Sequence, residues 1–414
     1  MPPRRSKRAE ALRIVPPDRH RHGEAMCDMI AKVFGGGRGY YPFRDFCRRV
    51  YVLPSHYDWR ASRIGLIGNR LVTHFGVWDI RVRVGTARVR VGGIGAVATH
   101  GDYRMRGYMA RTARASVAAM RDGGYDLSML AGISDFYHRF GYVRAWCSSI
   151  YTVTVSDLPA ERPTGRVRKF TPGHREDITR LYNREHAHLT GTAVKPTYPR
   201  GTYPRPMEGY RWTDARGRTV GYLLLRPDKN LQCADKNLQC VEAAGNPDQA
   251  LRALAGLARR RGFREVTFDT LHDRCRLIRR VRQGTWRVET RHPRSGGDMV
   301  ATINLAATLD KMTPELGRRL RASPLENWRG KLVVADRRET VTLRIDRSRV
   351  GLARGGRSRH AIRGGDAIAQ LLIGTNDPAV TLETARMRVT GDAGRLADVL
   401  FPNEHPMLSL RDRF

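Results

Sequence analysis

Over 24–34 the apolar side chains Met26, Ile30, Ala31 and Phe34 recur at the 3.6-residue spacing of a helix, and Gly35, Gly36 and Gly37 then break it. An aromatic, turn-rich loop is expected from there to Trp59. The period changes to two at 64–67, 71–77, 80–84 and 88–91, with Gly85-Thr86 as a turn, which predicts antiparallel strands in a meander. Residues 93–99 are small and apolar throughout, as in a strand buried on both faces, and 103–122 carries Met105, Met109, Ala113 and Val117 on one helical face up to Gly123 and Gly124. A buried strand at 127–131, a helical turn at 135–140 and an alternating strand at 142–155 complete the first unit.

Pro159 and Pro163 interrupt the pattern, and a similar order then returns: a strand at 167–170, a helix at 174–186, strands near 219–225, a helix at 248–261 and a strand at 265–269. A polar Pro/Gly stretch at 292–297 opens a third unit with strands at 299–305, 331–336 and 340–345 and a helix at 364–373. The expected class is α+β with central mixed sheets, divided as a disordered basic tail (1–10) and domains at 11–158, 162–291 and 295–414.

Composition narrows the function. No apolar run approaches the roughly 18 residues of a membrane span, and MPPRRSKRAE has no apolar stretch behind it, so a cytoplasmic protein is expected. Six cysteines form no CxxC pair and have no histidine at zinc-ligand spacing, which predicts reduced thiols and no metal. Cys233 and Cys240 sit in the tandem heptads DKNLQCA and DKNLQCV, read as a small duplication at a surface hairpin. The net charge of +35 attracts anions, yet 67 of the 75 basic residues are arginines spread through every segment; the clusters at 4–8 and 259–261 read as solvated faces.

The chemistry concentrates at 91–110. A strand leading through a turn into a helix offers unpaired backbone N–H groups and a favourable dipole to a pyrophosphate. THGDYRMRGYM supplies that arrangement, with Arg104 and Arg106 adding charge and Gly107 permitting close approach. The GxxxxGK[ST] loop of nucleotide triphosphatases does not occur, and Gly93-Ile94-Gly95-Ala96-Val97-Ala98 matches the dinucleotide fingerprint without the helix that should open behind it. Arg104-x-x-Gly107 after a buried strand resembles the acetyl-CoA loop of the GNAT acetyltransferases, Met109 standing where that family has Gly or Ala. Phe136-Tyr137-His138-Arg139-Phe140-Gly141-Tyr142 resembles the Y-x-R-F-G-Y signature of the Eis-like (enhanced intracellular survival) branch. That branch joins two GNAT domains, only the first retaining the cofactor loop, to a C-terminal sterol-carrier-protein-2-like domain. Gly364-Gly365-Asp366-Ala367-Ile368-Ala369-Gln370-Leu371, Leu400-Phe401-Pro402 and Asp412-Arg413-Phe414 resemble its ending.

The resemblance implies acetyl-CoA as cofactor, held by Val97, Ala98, Thr99, Arg104, Met105, Arg106, Gly107, Tyr108 and Met109. It implies Tyr137 as general acid and the main-chain carboxylate of Phe414 as general base, with His100 and His138 as alternative bases. The acceptor is expected to be an amine, on a small molecule or a lysine side chain. Its pocket wall is sought in the aromatic loop of Tyr41, Phe43, Phe46, Tyr57 and Trp59, with Asp45 and Asp58 to receive a cation. An aminoglycoside, a polycation, suits this arginine-rich chain poorly. Neither metal, membrane nor nucleic acid is an expected partner, and the family's habit implies a homo-oligomer, a trimer or hexamer. Two other readings stay open: a nucleic-acid-binding protein, on charge alone, and a non-catalytic lipid carrier or scaffold on the same fold.

Overall fold

The alternating run in the first unit folds into the expected meander, and the mixed sheet around it is completed from far along the chain. Its strands stand in the order Arg13–Val15, Arg63–Ile67, Arg70–Val84, Ala87–Thr99, Leu127–Gly132, Gly297–Thr302, Val143–Arg144. The helix Tyr108–Asp122 is the crossover between the parallel neighbours Ala87–Thr99 and Leu127–Gly132. The computed structural model describes residues 11–197, 208–226, 237–293, 295–355 and 358–413.

A second sheet repeats the plan: Arg168–Lys169, Glu208–Thr213, Thr219–Arg226 and Asn237–Ala244 run antiparallel, and the helix Pro247–Arg261 leads to the parallel strand Glu265–Asp269. Each sheet then borrows a strand. Ser148–Thr154 leaves the first unit to lie between Glu265–Asp269 and Arg287–Arg291, and Gly297–Thr302, beyond the end of the second unit, lies between Leu127–Gly132 and Val143–Arg144. The strand expected at 142–155 is therefore two pieces in two sheets, and the one expected to open the third unit at 299 belongs to the first sheet. The exchange covers an edge of each parallel strand that would otherwise be unpaired. Alternation shows that a segment is a strand without saying which sheet it joins.

The third unit has a sheet ordered Arg349–Ala353, Thr340–Asp346, Arg329–Ala335, His360–Arg363, Arg388–Thr390. Its helix Leu305–Arg321 presses Leu305, Leu309, Met312, Leu316 and Leu320 into one core with Val82, Val89 and Val91 of the first sheet. The opposite face of that sheet packs Phe75, Val77 and Ile94 against Ala113, Val117 and Met120 of the crossover helix. The buried Arg83 of the first sheet donates to Ala193 O at 2.5 Å and Asn183 Oδ1 at 2.9 Å, joining the first two units.

Two local expectations change. The helix foreseen at 24–34 runs Arg19–Phe34, since Asp18 caps it through the N–H groups of His20 and Arg21. Behind it the expected loop contains a helical segment, Gly36–Cys47, broken by a kink at Gly37 (φ +38°), in which Arg44 pairs with Asp28 and Glu24 and Tyr40 donates to Asp28. The first heptad copy, with Cys233, lies outside the described residues. The second is no hairpin tip, since Leu238 and Cys240 are buried in the strand Asn237–Ala244. Among the described residues no group of three His, Cys, Asp or Glu side chains is placed to hold a metal, and no helix is long and apolar enough to cross a membrane.

Candidate active site

Parallel pairing between Ala87–Thr99 and Leu127–Gly132 starts at Val91/Leu127 and ends at Ile94/Leu130. Beyond it the first strand stays paired on its other side, Gly95 with Gly76, Ala98 with His74 and Thr99 with Thr73. The free edge of 95–99 thus has no strand partner among the described residues and exposes backbone groups to a slot.

A bulge shapes the lip of the slot. The register shifts between His74 and Gly76, and opposite it Ala96 has a φ of +50°, a left-handed conformation that costs a residue with a Cβ roughly 1–2 kcal/mol. The buried His74 holds it there, one ring nitrogen 2.7 Å from Ala96 O and the other 2.7 Å from the Tyr57 hydroxyl. A carbonyl only accepts, so Nδ1 carries the proton and Nε2 accepts from Tyr57. Burial lowers the His74 pKa to about 4 and keeps the ring in this neutral form. Two buried hydrogen bonds at about 1 kcal/mol each offset the strain of the bulge. Gly76 is needed beside it, because a Cβ would meet Gly95 O and the His74 ring at 2.8 Å.

After Thr99 the chain makes a 3-10 turn at Gly101–Tyr103, passes the fully exposed Met105 (φ +59°) and reaches Gly107 at φ +72°. Gly107 is the N-cap of Tyr108–Asp122, no side chain caps that helix, and its first backbone bond is Arg111 N–H to Gly107 O at 3.2 Å. The N–H groups of Tyr108, Met109 and Ala110 lack intrahelical acceptors by position and point from the positive end of a 15-residue helix. Arg104 and Arg106 are exposed beside them, Arg106 over the Tyr103 ring at 5.3 Å.

Tyr137 opens a short turn, Tyr137–Phe140, its ring meets those of Phe136 and Tyr142, and it belongs to the core cluster that holds Ile94 and Leu130, against which the half-buried Val97, Met109 and Ala110 pack. Gly132 admits it, since a Cβ there would lie 2.5 Å from the ring. The ring is buried, its hydroxyl has no hydrogen-bond partner among the described residues, and burial pushes its pKa up to about 12. Phe414 lies outside the described residues. Its neighbour Arg413 donates from Nη2 to Asp298 Oδ2 at 2.8 Å, and Asp298 is the register partner of Ala131, next to Gly132.

The other expected residues divide. Phe43, Phe46, Tyr57 and Trp59 belong to the cluster that contains Ala96 and Ala98, whereas Tyr41 and Asp45 are exposed to solvent. Asp58, expected to receive a cation, is committed elsewhere: it accepts from the N–H groups of Arg60 and Ala61 at 2.8 and 3.0 Å and from the Tyr125 hydroxyl at 2.6 Å, closing its own turn. His100 Nε2 lies 2.9 Å from Arg70 Nη2, which occupies its lone pair, and His138 is exposed.

Residues 22–145 match the family model of the acetyltransferase (GNAT) domain. The chain is an enzyme built on a GNAT N-acetyltransferase domain. Among curated proteins none matches it. Among solved structures it is similar to a probable N-acyltransferase from Enterococcus faecalis (18% identity, TM-score 0.73, covering 98% of this chain and 100% of that one). It is also similar to a GCN5-related N-acetyltransferase from Anabaena variabilis (13%, 0.76, 98% and 100%) and to Eis1 from Mycobacterium abscessus (15%, 0.67, 95% and 97%). At these identities the likeness is one of fold, carried over the whole length of the chain.

Two features around the slot escaped the sequence reading. His74 stood in an alternating strand with only its inward register as a signal, and the Arg413–Asp298 pair joins residues 115 positions apart. The third unit also holds the chain just after the signature: Gln370 donates to Arg144 O at 3.0 Å and Thr375 to Ala145 O at 2.6 Å, the first from within the motif at 364–371.

Proposed function

We propose that this enzyme transfers an acetyl group from acetyl-CoA to a primary amine in the slot beside 95–99, with Tyr137 as general acid and the terminal carboxylate of Phe414 as general base. The observation that carries the reading is the early end of the parallel pairing at Ile94/Leu130 next to a helix that starts from a left-handed glycine. The residues fit the cofactor: the N–H groups of Tyr108, Met109 and Ala110 with Arg104 and Arg106 would hold its pyrophosphate, and the free edge of Val97, Ala98 and Thr99 its acyl arm. Bound acetyl-CoA supplies the activated acyl group. Backbone N–H groups along that edge stabilise negative charge on the carbonyl oxygen. Tyr137, protonated across the physiological range by its raised pKa, gives its proton to the departing sulfur. The carboxylate of residue 414, whose neighbour Arg413 is paired with Asp298, takes a proton from the substrate ammonium, and the lone pair so freed on the amine attacks the thioester carbonyl.

A lysine side chain or a small monoamine suits the site better than a polycation. Asp298, the register partner of Ala131, is already hydrogen-bonded to Arg413, and Asp58 is bound in its own turn to Tyr125, so neither is a free carboxylate for a polycation. The Eis-like assignment, the sterol-carrier-like character of the third unit and a symmetric homo-oligomer belong to the same reading and rest on resemblance. Acetyl-CoA is expected to raise Tm by several degrees at saturating concentration while NADH does not. A melting curve indifferent to acetyl-CoA contradicts the proposal.

A further inference from the structure

In the second unit arginines from two elements meet across a concave surface that the proposed reaction does not use. A cleft of about 560 Å³ opens between the end of the helix Arg175–Glu185 and the segment that follows the strand Glu265–Asp269. One wall carries Arg184, His188 and Leu189, the other Arg274, Arg276 and Arg279. Glu185 is the one carboxylate in the lining and it is already taken, since Arg276 reaches Oε1 from Nε at 3.0 Å and Oε2 from Nη2 at 2.6 Å. Arg274 donates to Asn403 O at 2.5 Å and lies 3.8 Å from Glu404. The exposed guanidiniums of Arg184 and Arg279 have neither a hydrogen-bond nor an ion-pair partner among the described residues.

We infer that this cleft is a binding site for a compact polyphosphate, a ligand with two or more phosphate groups and no nucleobase. Guanidinium forks match phosphate oxygens in pairs, and a cleft lined by one sign of charge focuses its field on an anion. The volume falls in the range of roughly 300–1,000 Å³ usual for small-molecule sites. Leu189 is the one apolar side chain in the lining and no aromatic ring stands there, so a base would find nothing to stack on. The helix dipole accounts for one basic residue in the last turn of Arg175–Glu185. It does not account for four arginines gathered from two elements against a single carboxylate. Glu185 holds the Arg276 fork in place, while Arg184 and Arg279 keep their donors for a ligand. The position also has a counterpart in the first unit: residues 274–279 follow the carboxyl end of the parallel strand Glu265–Asp269 as 137–140 follow that of Leu127–Gly132. Corresponding ends of the two sheets thus carry different chemistry, and the cleft shares no residue with the slot.

The test is a calorimetric titration of the full chain with inorganic tripolyphosphate at about 0.15 M salt. Saturable binding is expected in the native protein, weakened about tenfold or more by the double substitution Arg184→Gln with Arg279→Gln and changed by less than about twofold by Arg104→Gln with Arg106→Gln in the loop before Gly107. Inorganic phosphate should bind about tenfold more weakly than tripolyphosphate. Absence of saturable binding overturns the inference, as do equal losses in both double variants or a loss confined to the loop pair, which would assign the ligand to the first unit. A DNA duplex bound more tightly than tripolyphosphate and weakened by the cleft pair would give these arginines to a nucleic-acid backbone instead. Should the cleft pair lower Tm without ligand, Arg279→Lys, which keeps the charge and loses the fork, carries the same comparison. No acetyl-CoA enters the measurement, so its outcome is independent of the proposed transfer reaction.

Discussion

At the scale of single residues the proposed chemistry depends on groups kept in one protonation state by burial. Tyr137 is the clearest case. Tyr137→Phe should lower kcat about 10²- to 10⁴-fold, the usual worth of a general acid, leaving acetyl-CoA affinity unaltered; undiminished turnover would remove it from the mechanism. With its pKa raised to about 12, Tyr137 should add no alkaline limb to the pH–rate profile below about pH 11. Histidines give the opposite dependence. His74 and His186 are lowered by burial to about 4 and His272 to about 3, so all three are neutral in the fold. Unfolded histidine protonates near pH 6.5, so their stabilisation is complete above that value. It is lost as pH falls from about 6.5 towards 4, by at most roughly 3 kcal/mol for a site such as His74. A Tm that stays level between pH 7 and 4.5 contradicts this. The helical turn that carries Tyr137 was legible in the sequence because its motif is local; the place of His74 was not, because its partners Tyr57 and Ala96 lie 17 and 22 positions away.

At the scale of elements the loop and its helix form the most legible part of the molecule. A buried strand, a turn with Gly107 and a periodic helix were all visible in twenty residues, and the structure adds the bulge at Ala96. Gly107→Ala should cost roughly 1 kcal/mol or more through its φ of +72°, though a Cβ meets nothing within 4 Å. It should weaken acetyl-CoA binding by turning the first amides of the helix, read as a raised dissociation constant with global Tm little changed. The helix Gly36–Cys47 was illegible for a physical reason. Its intrinsic propensity is poor, and the Arg44 pairs with Asp28 and Glu24 reach back to the preceding helix.

At the scale of the whole molecule three successive segments of sequence do not make three separable bodies. The first sheet is completed by Gly297–Thr302 and shares its core with the third unit, while the second takes Ser148–Thr154 from the first. A fragment ending at 158 would leave an edge of Leu127–Gly132 bare and Val82, Val89 and Val91 uncovered. It should be insoluble or molten, judged by near-ultraviolet circular dichroism, and a well-packed fragment would refute the shared core. The expected boundaries at 158 and 295 rest on composition alone, and the crossing of Ser148–Thr154 and Gly297–Thr302 into other sheets is a long-range pairing that leaves no local trace.

The central claim, that the end of the chain acts in the first unit's slot, is tested most directly by adding one glycine after Phe414 and measuring steady-state transfer from acetyl-CoA to an amine. The extension moves the terminal carboxylate by one residue, about 3.8 Å, without altering any described contact. The account predicts a kcat lowered about 10²-fold with KM for acetyl-CoA unchanged; a kcat equal to that of the unmodified enzyme would contradict it.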